Sequence, residues 1–202
     1  YSSAASDVYK RQNEISKNFL AGDRENSIIK LKKYLNNNPQ DNLARYNLGV
    51  MFQKTNQLEK SVDEYVHVIK NDKKHWQALS NLGLIYFLKR SYDESNKYHF
   101  EVLKIKKNYQ PALRDIGTNY LLLGKNKLAE NQLTKSHKLN PIDYINLNAL
   151  GLVKMRLEKS KIAKKLYEES IKINNNYHPS YNNLGLNYDR YGKKKEAFNC
   201  YK

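Results

Sequence analysis

Five short stretches decide how this chain reads: RYNLG at 45–49, LSNLG at 79–83, RDIGT at 114–118, NALGL at 148–152 and NNLGL at 182–186. They place glycines at Gly49, Gly83, Gly117, Gly151 and Gly185, each 34 residues from the next with no insertion or deletion. Leu48, Leu82, Ile116, Leu150 or Leu184 stands just before each glycine. Three residues after it come Phe52, Tyr86, Tyr120, Lys154 and Tyr188. Twelve after it come Ser61, Ser95, Ala129, Ala163 and Ala197, and sixteen after it Tyr65, His99, Leu133, Tyr167 and Tyr201. The same phases run back to Ser27 and Leu31, and Pro39 and Pro141 share one phase. A fixed period of this length marks a repeat architecture, in which one unit cannot bury its apolar face alone and stacked neighbours make the core.

Composition agrees. Aromatics make up 11% of the 202 residues, mostly as 17 tyrosines, while Gly (8) and Pro (4) are scarce, which favours helices over turn-rich β architecture. The spacing predicts helices over 24–37, 43–55, 58–71, 77–89, 92–105, 111–123, 126–139, 145–157, 160–173 and 179–191, with a helix over 194–202 cut short. A glycine lacks Cβ, so two helices can approach closely there. Ser61, Ser95, Ala129 and Ala163 keep the facing helix equally thin. Pro111 and Pro179 fall in the first turn of a helix, where a missing N–H costs nothing. Gly22, Gly124 and Gly192 fall between helices, where a left-handed residue closes a helix end.

The order apolar–Gly, aromatic, small, large at this period resembles the tetratricopeptide repeat, and the resemblance covers residues 13 to 202. It implies an all-α fold: an α-solenoid, a right-handed superhelix of stacked antiparallel helix pairs. The array comprises a partial first repeat over 13–41, repeats over 42–75, 76–109, 110–143 and 144–177, and a truncated repeat over 178–202, forming one solenoid domain. Ile15 occupies the glycine phase of the partial repeat, which argues against a well-formed first helix there. Lys154 in place of an aromatic argues for poorer packing of the repeat centred on Gly151, and His99 and His137 sit where apolar residues are usual, as satisfied semi-buried histidines. Residues 1–12 are set apart: Ser2 to Gln12, SSAASDVYKRQ, resemble the translation of a sequencing-library adapter. With both ends inside repeats, the chain reads as a fragment, and apolar surface is expected around Leu184, Ala197 and Tyr201.

In the family this chain resembles, the first helix of each pair lines a concave groove. The matching positions give Asn47, Asn81, Asp115, Ala149 and Asn183 two before the glycine. Three before it stand Tyr46, Ser80, Arg114, Asn148 and Asn182. Further along lie Gln53 and Lys54, Phe87 and Leu88, Leu121 and Leu122, Met155 and Arg156, Asp189 and Arg190. Asn47, Asn81 and Asn183 stand out, because a side-chain amide both donates and accepts and can hold a peptide backbone of any sequence. The row resembles the asparagine ladder in the repeats of O-linked N-acetylglucosamine transferases, interrupted at Asp115 and Ala149; the alternative is that these asparagines serve packing. The carboxylate clamp of chaperone-binding repeats does not carry over, since Val50, Leu84, Thr118, Leu152 and Leu186 hold the position of its asparagine.

A net charge of +16 raises nucleic acid or an acidic partner. Most lysines, such as Lys70, Lys104, Lys107, Lys161 and Lys165, fall on second helices and turns, so a solvated basic face is preferred. No Walker loop, nucleophile elbow or metalloprotease motif occurs, and His67, His75, His99, His137 and His178 lie at different phases. No catalytic residue, metal site or cofactor is expected within these residues. One cysteine, Cys200, excludes an internal disulfide framework. No apolar run reaches the length of a membrane span, and a cytoplasmic setting is favoured. The reading is a scaffold that binds a protein or extended peptide. The alternative is the substrate-recruiting arm of a transferase whose catalytic domain lies beyond Lys202.

Overall fold

A computed structural model describes residues 13–201, which form helices joined by short turns, with no strand among the described residues. Residues 13–20 are helical and are called α1. There follow α2 (Arg24–Asn37), α3 (Asn42–Lys54), α4 (Leu58–Asn71), α5 (Trp76–Leu88), α6 (Tyr92–Ile105) and α7 (Gln110–Leu122). The chain continues with α8 (Asn126–Leu139), α9 (Tyr144–Arg156), α10 (Ser160–Ile173), α11 (His178–Asp189) and α12 (Lys194–Tyr201). Odd-numbered helices carry the repeat glycines or their phase and are called A; even-numbered ones are B. This is an all-α helical repeat fold. The segment resembling an adapter lies outside the described residues.

The B helices span the expected residues, whereas the A helices start and end about one residue early. At α3 and α9 a cause is visible at the helix start. Asp41 accepts from the Ala44 amide at 2.9 Å, and Asp143 accepts from the Ile145 and Asn146 amides at 3.0 and 3.1 Å. Each carboxylate satisfies orphan N–H groups of the first turn and so draws the helix start to itself.

The described residues divide into two compact units, one ending at residue 85 and the other beginning at residue 86. In the first, Ile15 and Phe19 of α1, Ile28, Leu31 and Leu35 of α2, and Ala44, Leu48, Met51 and Phe52 of α3 form one buried cluster. The first helix is therefore formed after all, despite Ile15, because Ile15 and Phe19 bury their side chains in this cluster (6% and 4% exposed). In the second, α7, α8 and α9 share a cluster that includes Leu121, Leu133, Leu150 and Val153. The α10–α11 cluster contains Ala163, Tyr167 and Leu184, with Cys200 packed against it.

Three sequence expectations need correction here. The repeat centred on Gly151 is well packed: Leu147, Leu150 and Val153 are buried, and Lys154 pairs with Glu130 at 2.5 Å in place of an aromatic contact. Leu184 and Ala197 are buried, because α12 folds back over α11; of the three residues expected at an open end, Tyr201 alone is exposed. His99 is fully buried, and neither its Nδ1 nor that of His137 finds a hydrogen-bond partner among the described residues.

Every A–B turn places a left-handed residue seven positions after the glycine phase. Gly22, Gly124 and Gly192 fill it at φ +107°, +73° and +70°, but Asn56, Arg90 and Glu158 fill it at about +60°. A side chain there costs about 1–2 kcal/mol, of which a glycine gives back roughly half through its more flexible unfolded chain. Arg90→Gly should therefore raise the melting temperature by about 2 °C; a lower melting temperature by calorimetry would show that the Arg90 side chain contributes more than its backbone costs.

Candidate functional site

Repeat glycines of the A helices and large side chains of the B helices are in close contact. A Cβ built on Gly49 would lie 2.7 Å from Tyr65, one on Gly117 2.6 Å from Leu133, and one on Gly151 2.5 Å from Tyr167. In these three repeats the residue sixteen after the glycine thus lies against it. Ser61 closes the first such contact by donating its hydroxyl proton to the Gly49 carbonyl at 2.7 Å.

In the first unit the A-helix face carries Tyr46, Asn47, Lys54 and Asn81. The Asn81 amide donates to the Tyr65 hydroxyl at 2.9 Å and the Tyr46 hydroxyl at 3.3 Å, and Tyr65 donates on to Gln53 at 3.0 Å. Tyr46 also packs on Tyr65 and His75, with ring centroids 5.6 and 4.9 Å apart. Burial, then the neighbouring Tyr46, pushes the Tyr65 phenol well above its usual range, so Tyr65 stays protonated and donates. Asn47 is half-buried and makes no side-chain hydrogen bond among the described residues. Lys54 is exposed.

In the second unit Phe87 is tilted against Tyr92 at 5.8 Å. Arg114 is ion-paired to Asp115 and to Asp143, both at 3.1 Å, and Gln110 donates to the same Asp143 oxygen at 2.8 Å. Burial works against the Arg114 charge, but the two aspartates outweigh it and hold the guanidinium above its usual range. Burial likewise works against the Asp143 charge, and the Asn146 amide, Gln110 and Arg114 together hold the carboxyl below its usual range. Asn148 accepts from Asn183 at 2.9 Å and from Ser180 at 3.2 Å. Arg156 donates to the Leu121 carbonyl at 2.6 Å, and Arg190 to the Met155 carbonyl at 3.1 Å. Each arginine thereby closes the C-terminal end of the preceding A helix, where unsatisfied carbonyls carry negative charge. Asn182 is exposed.

The interruptions of the asparagine row follow from a pairing between successive repeats. Asn81 meets Tyr65, sixteen after the previous glycine. One repeat on, Asp115 lies 3.9 Å from His99 in that same phase. Next, Ala149 and Leu133 share an apolar cluster. A polar end on the B-helix residue is met by a polar residue, and an apolar one by alanine. Asn183 departs from this: it turns to Asn148, and the buried Tyr167 hydroxyl is left without a partner. The position that supplies Gln53 to Tyr65, and Asp189 to Tyr201 at 3.0 Å, is Met155 here.

The candidate residues thus fall into two kinds. Asn81, Asn183, Asn148, Asp115, Arg156 and Arg190 are tied into neighbouring repeats, while Asn47, Lys54 and Asn182 are not. Sequence reasoning missed Gln110 and Asp143, which fix Arg114. Asp143 carries a visible signal, since it shares its phase, just before an A helix, with Asp41. Among the described residues no group of three His, Cys, Asp or Glu could hold a metal, and no helix is long and apolar enough to cross a membrane.

Comparison with known proteins follows this geometry. The tetratricopeptide repeat family model matches residues 146–177, and the described residues have the all-α helical repeat fold seen in solved tetratricopeptide repeat structures. A tetratricopeptide repeat protein from Parabacteroides merdae superposes with a TM-score of 0.83 at 18% identity, over 96% of this chain and 77% of that one. PilF of Pseudomonas aeruginosa gives 0.80 at 17% identity, over 96% and 89%. YrrB, described as a tetratricopeptide repeat protein with an unusual peptide-binding site, gives 0.68 at 19% identity, over 84% and 88%. No curated protein sequence matches the chain.

Two outcomes test the packing. Tyr65→Phe removes a phenol that is bonded on both sides and should cost about 1 kcal/mol, whereas Tyr167→Phe removes an unpartnered buried hydroxyl and should be neutral or stabilising. Equal losses of melting temperature for the two would contradict the pairing. For His99, burial first, and Arg114 less strongly, hold the imidazole below its usual value, against the pull of Asp115. The fold accepts the neutral ring, so its stabilisation is full above the unfolded-state value near 6.5 and is lost as pH falls from there through the folded-state value. Melting temperature should drop on acidification below about pH 6.5, and His99→Leu should flatten that drop.

Proposed function

We propose that this chain is a protein-interaction scaffold that holds an extended polypeptide against the A-helix faces of its units. One observation carries the reading: these faces present hydrogen-bonding side chains that the fold leaves unused beside others that it holds rigid. Asn47 offers an unengaged amide, and Asn182 an exposed one. Arg114 is oriented by Asp115 and Asp143, with further N–H groups left to donate. Groups fixed before binding lose little freedom on binding, which favours capture of a flexible chain. The likeness to YrrB, a protein described as binding peptide, supports the same reading.

The test is selection of displayed random peptides on the full chain, followed by affinity measurement with variants. Asn47→Ala should weaken selected peptides that occupy the first unit by about tenfold while leaving the melting temperature unchanged. Asn81→Ala should weaken them and also lower the melting temperature, because it breaks the bonds to Tyr46 and Tyr65. Peptides that bind Asn47→Ala, Arg114→Ala and Asn182→Ala as well as the unaltered chain would place the binding surface elsewhere.

A further inference from the structure

The second unit has a cavity of about 550 Å³ on the edge where A helices turn into B helices, within the size range of ligand pockets. Its apolar lining includes Ile162, Tyr188 and Tyr191, with Ile162 45% and Tyr191 56% exposed. Lys159, Lys161, Lys164 and Lys193 surround it. None of these belongs to the A-helix face discussed above.

The corresponding edge of the earlier repeats supplies its own acid. Between α6 and α8, Asp93 stands ten after its repeat glycine and pairs with Lys125 at 3.4 Å. Between α8 and α10, Glu130 stands thirteen after its glycine and pairs with Lys154 at 2.5 Å and Lys159 at 3.6 Å. Between α10 and α12 both phases are reversed: the residues ten and thirteen after Gly151 are Lys161 and Lys164. Lys193, which holds the phase of Lys125 and Lys159, meets lysines where they meet carboxylates. The acids nearby are directed elsewhere, Glu158 towards Arg190 at 3.8 Å and Glu168 towards Lys164 at 3.5 Å on the helix surface.

We infer that this edge docks an acidic segment of another protein through a large apolar side chain, which enters the cavity while flanking carboxylates take the place of the missing Asp93 and Glu130 counterparts. The charge pattern selects an anion, and the apolar lining selects one that carries hydrocarbon. Nucleic acid fits less well, because the ring of Tyr188 lies under the Lys164 ammonium at 5.7 Å, which leaves Tyr191 as the more exposed ring and no pair of open faces on which successive bases could stack. An anionic membrane fits less well too, since the apolar surface is recessed.

The test uses the full chain and a fluorescein-labelled peptide of alternating glutamate and leucine, read by anisotropy. Saturable binding is expected, weakening as salt screens the lysines. Lys161→Asp with Lys164→Glu restores the internal acids of the earlier edges and should reduce affinity about tenfold or more with no loss of melting temperature. Ile162→Ser should weaken binding through the apolar contact, and Asn47→Ala should leave it unchanged, which separates this surface from the A-helix face. Equal binding of a leucine-free polyglutamate, or no effect of Ile162→Ser, would reduce the site to unspecific charge and overturn the proposal. Tighter binding of an oligodeoxynucleotide or of anionic lipid vesicles at these lysines would overturn it as well.

Discussion

A methyl group on Gly49, Gly117 or Gly151 would press to within 2.7 Å or less of the side chain lying over it. Real carbon atoms do not approach so closely, so each of these A helices can lie as near its B helix as it does only because that one atom is missing. The rest follows from the same contact. Ser61, Ala129 and Ala163 are buried because any larger residue would separate the helices again. The large residue sixteen positions on is buried because it must cover the glycine. Its far end then emerges near the next A helix, which is why a helix-packing constraint reaches the face that carries the candidate binding residues.

That reach changes the meaning of the asparagines. Asn81 acts on Tyr65, and Asp115 lies opposite His99, so their identities answer the previous B helix as much as any ligand. Arg156 and Arg190 are spent in part on the carbonyl ends of preceding helices. Binding capacity on such a face resides in whatever the packing does not consume. Asn47 is one such residue: Leu31 holds the phase that would meet it, and has no polar atom to offer.

Much of this architecture was legible in the order of residues. Glycines in perfect register set the helix pairs, and the B helices lie where spacing places them, because their ends are marked by the turns. The A helices start about a residue early, and at α3 and α9 a capping aspartate, Asp41 or Asp143, binds amides of the first turn, an effect that periodicity does not contain. The helix around Ile15 is not legible from the glycine phase, because that phase is not obligatory: burial of Ile15 and Phe19 against α2 and α3 suffices. The packing at Lys154 is hidden for a related reason: its partner Glu130 lies 24 residues earlier, and a single column of the repeat shows one member of a pair but not the other. At the candidate site the residue types were visible, but which of them the fold consumes depends on such cross-repeat neighbours.

The bond from Asn81 to Tyr65 and the apolar match of Ala149 with Leu133 lie across the boundary between one 34-residue unit and the next. The module that must be inherited intact is therefore not the repeat as the glycines count it, but a B helix together with the A helix that follows. A genetic duplication or shuffling event cut at the glycine period would separate these partners and leave Tyr or His ends facing alanine. One cut half a period out of phase would carry each pair along, so the viable breakpoints of this array fall inside the repeats rather than between them.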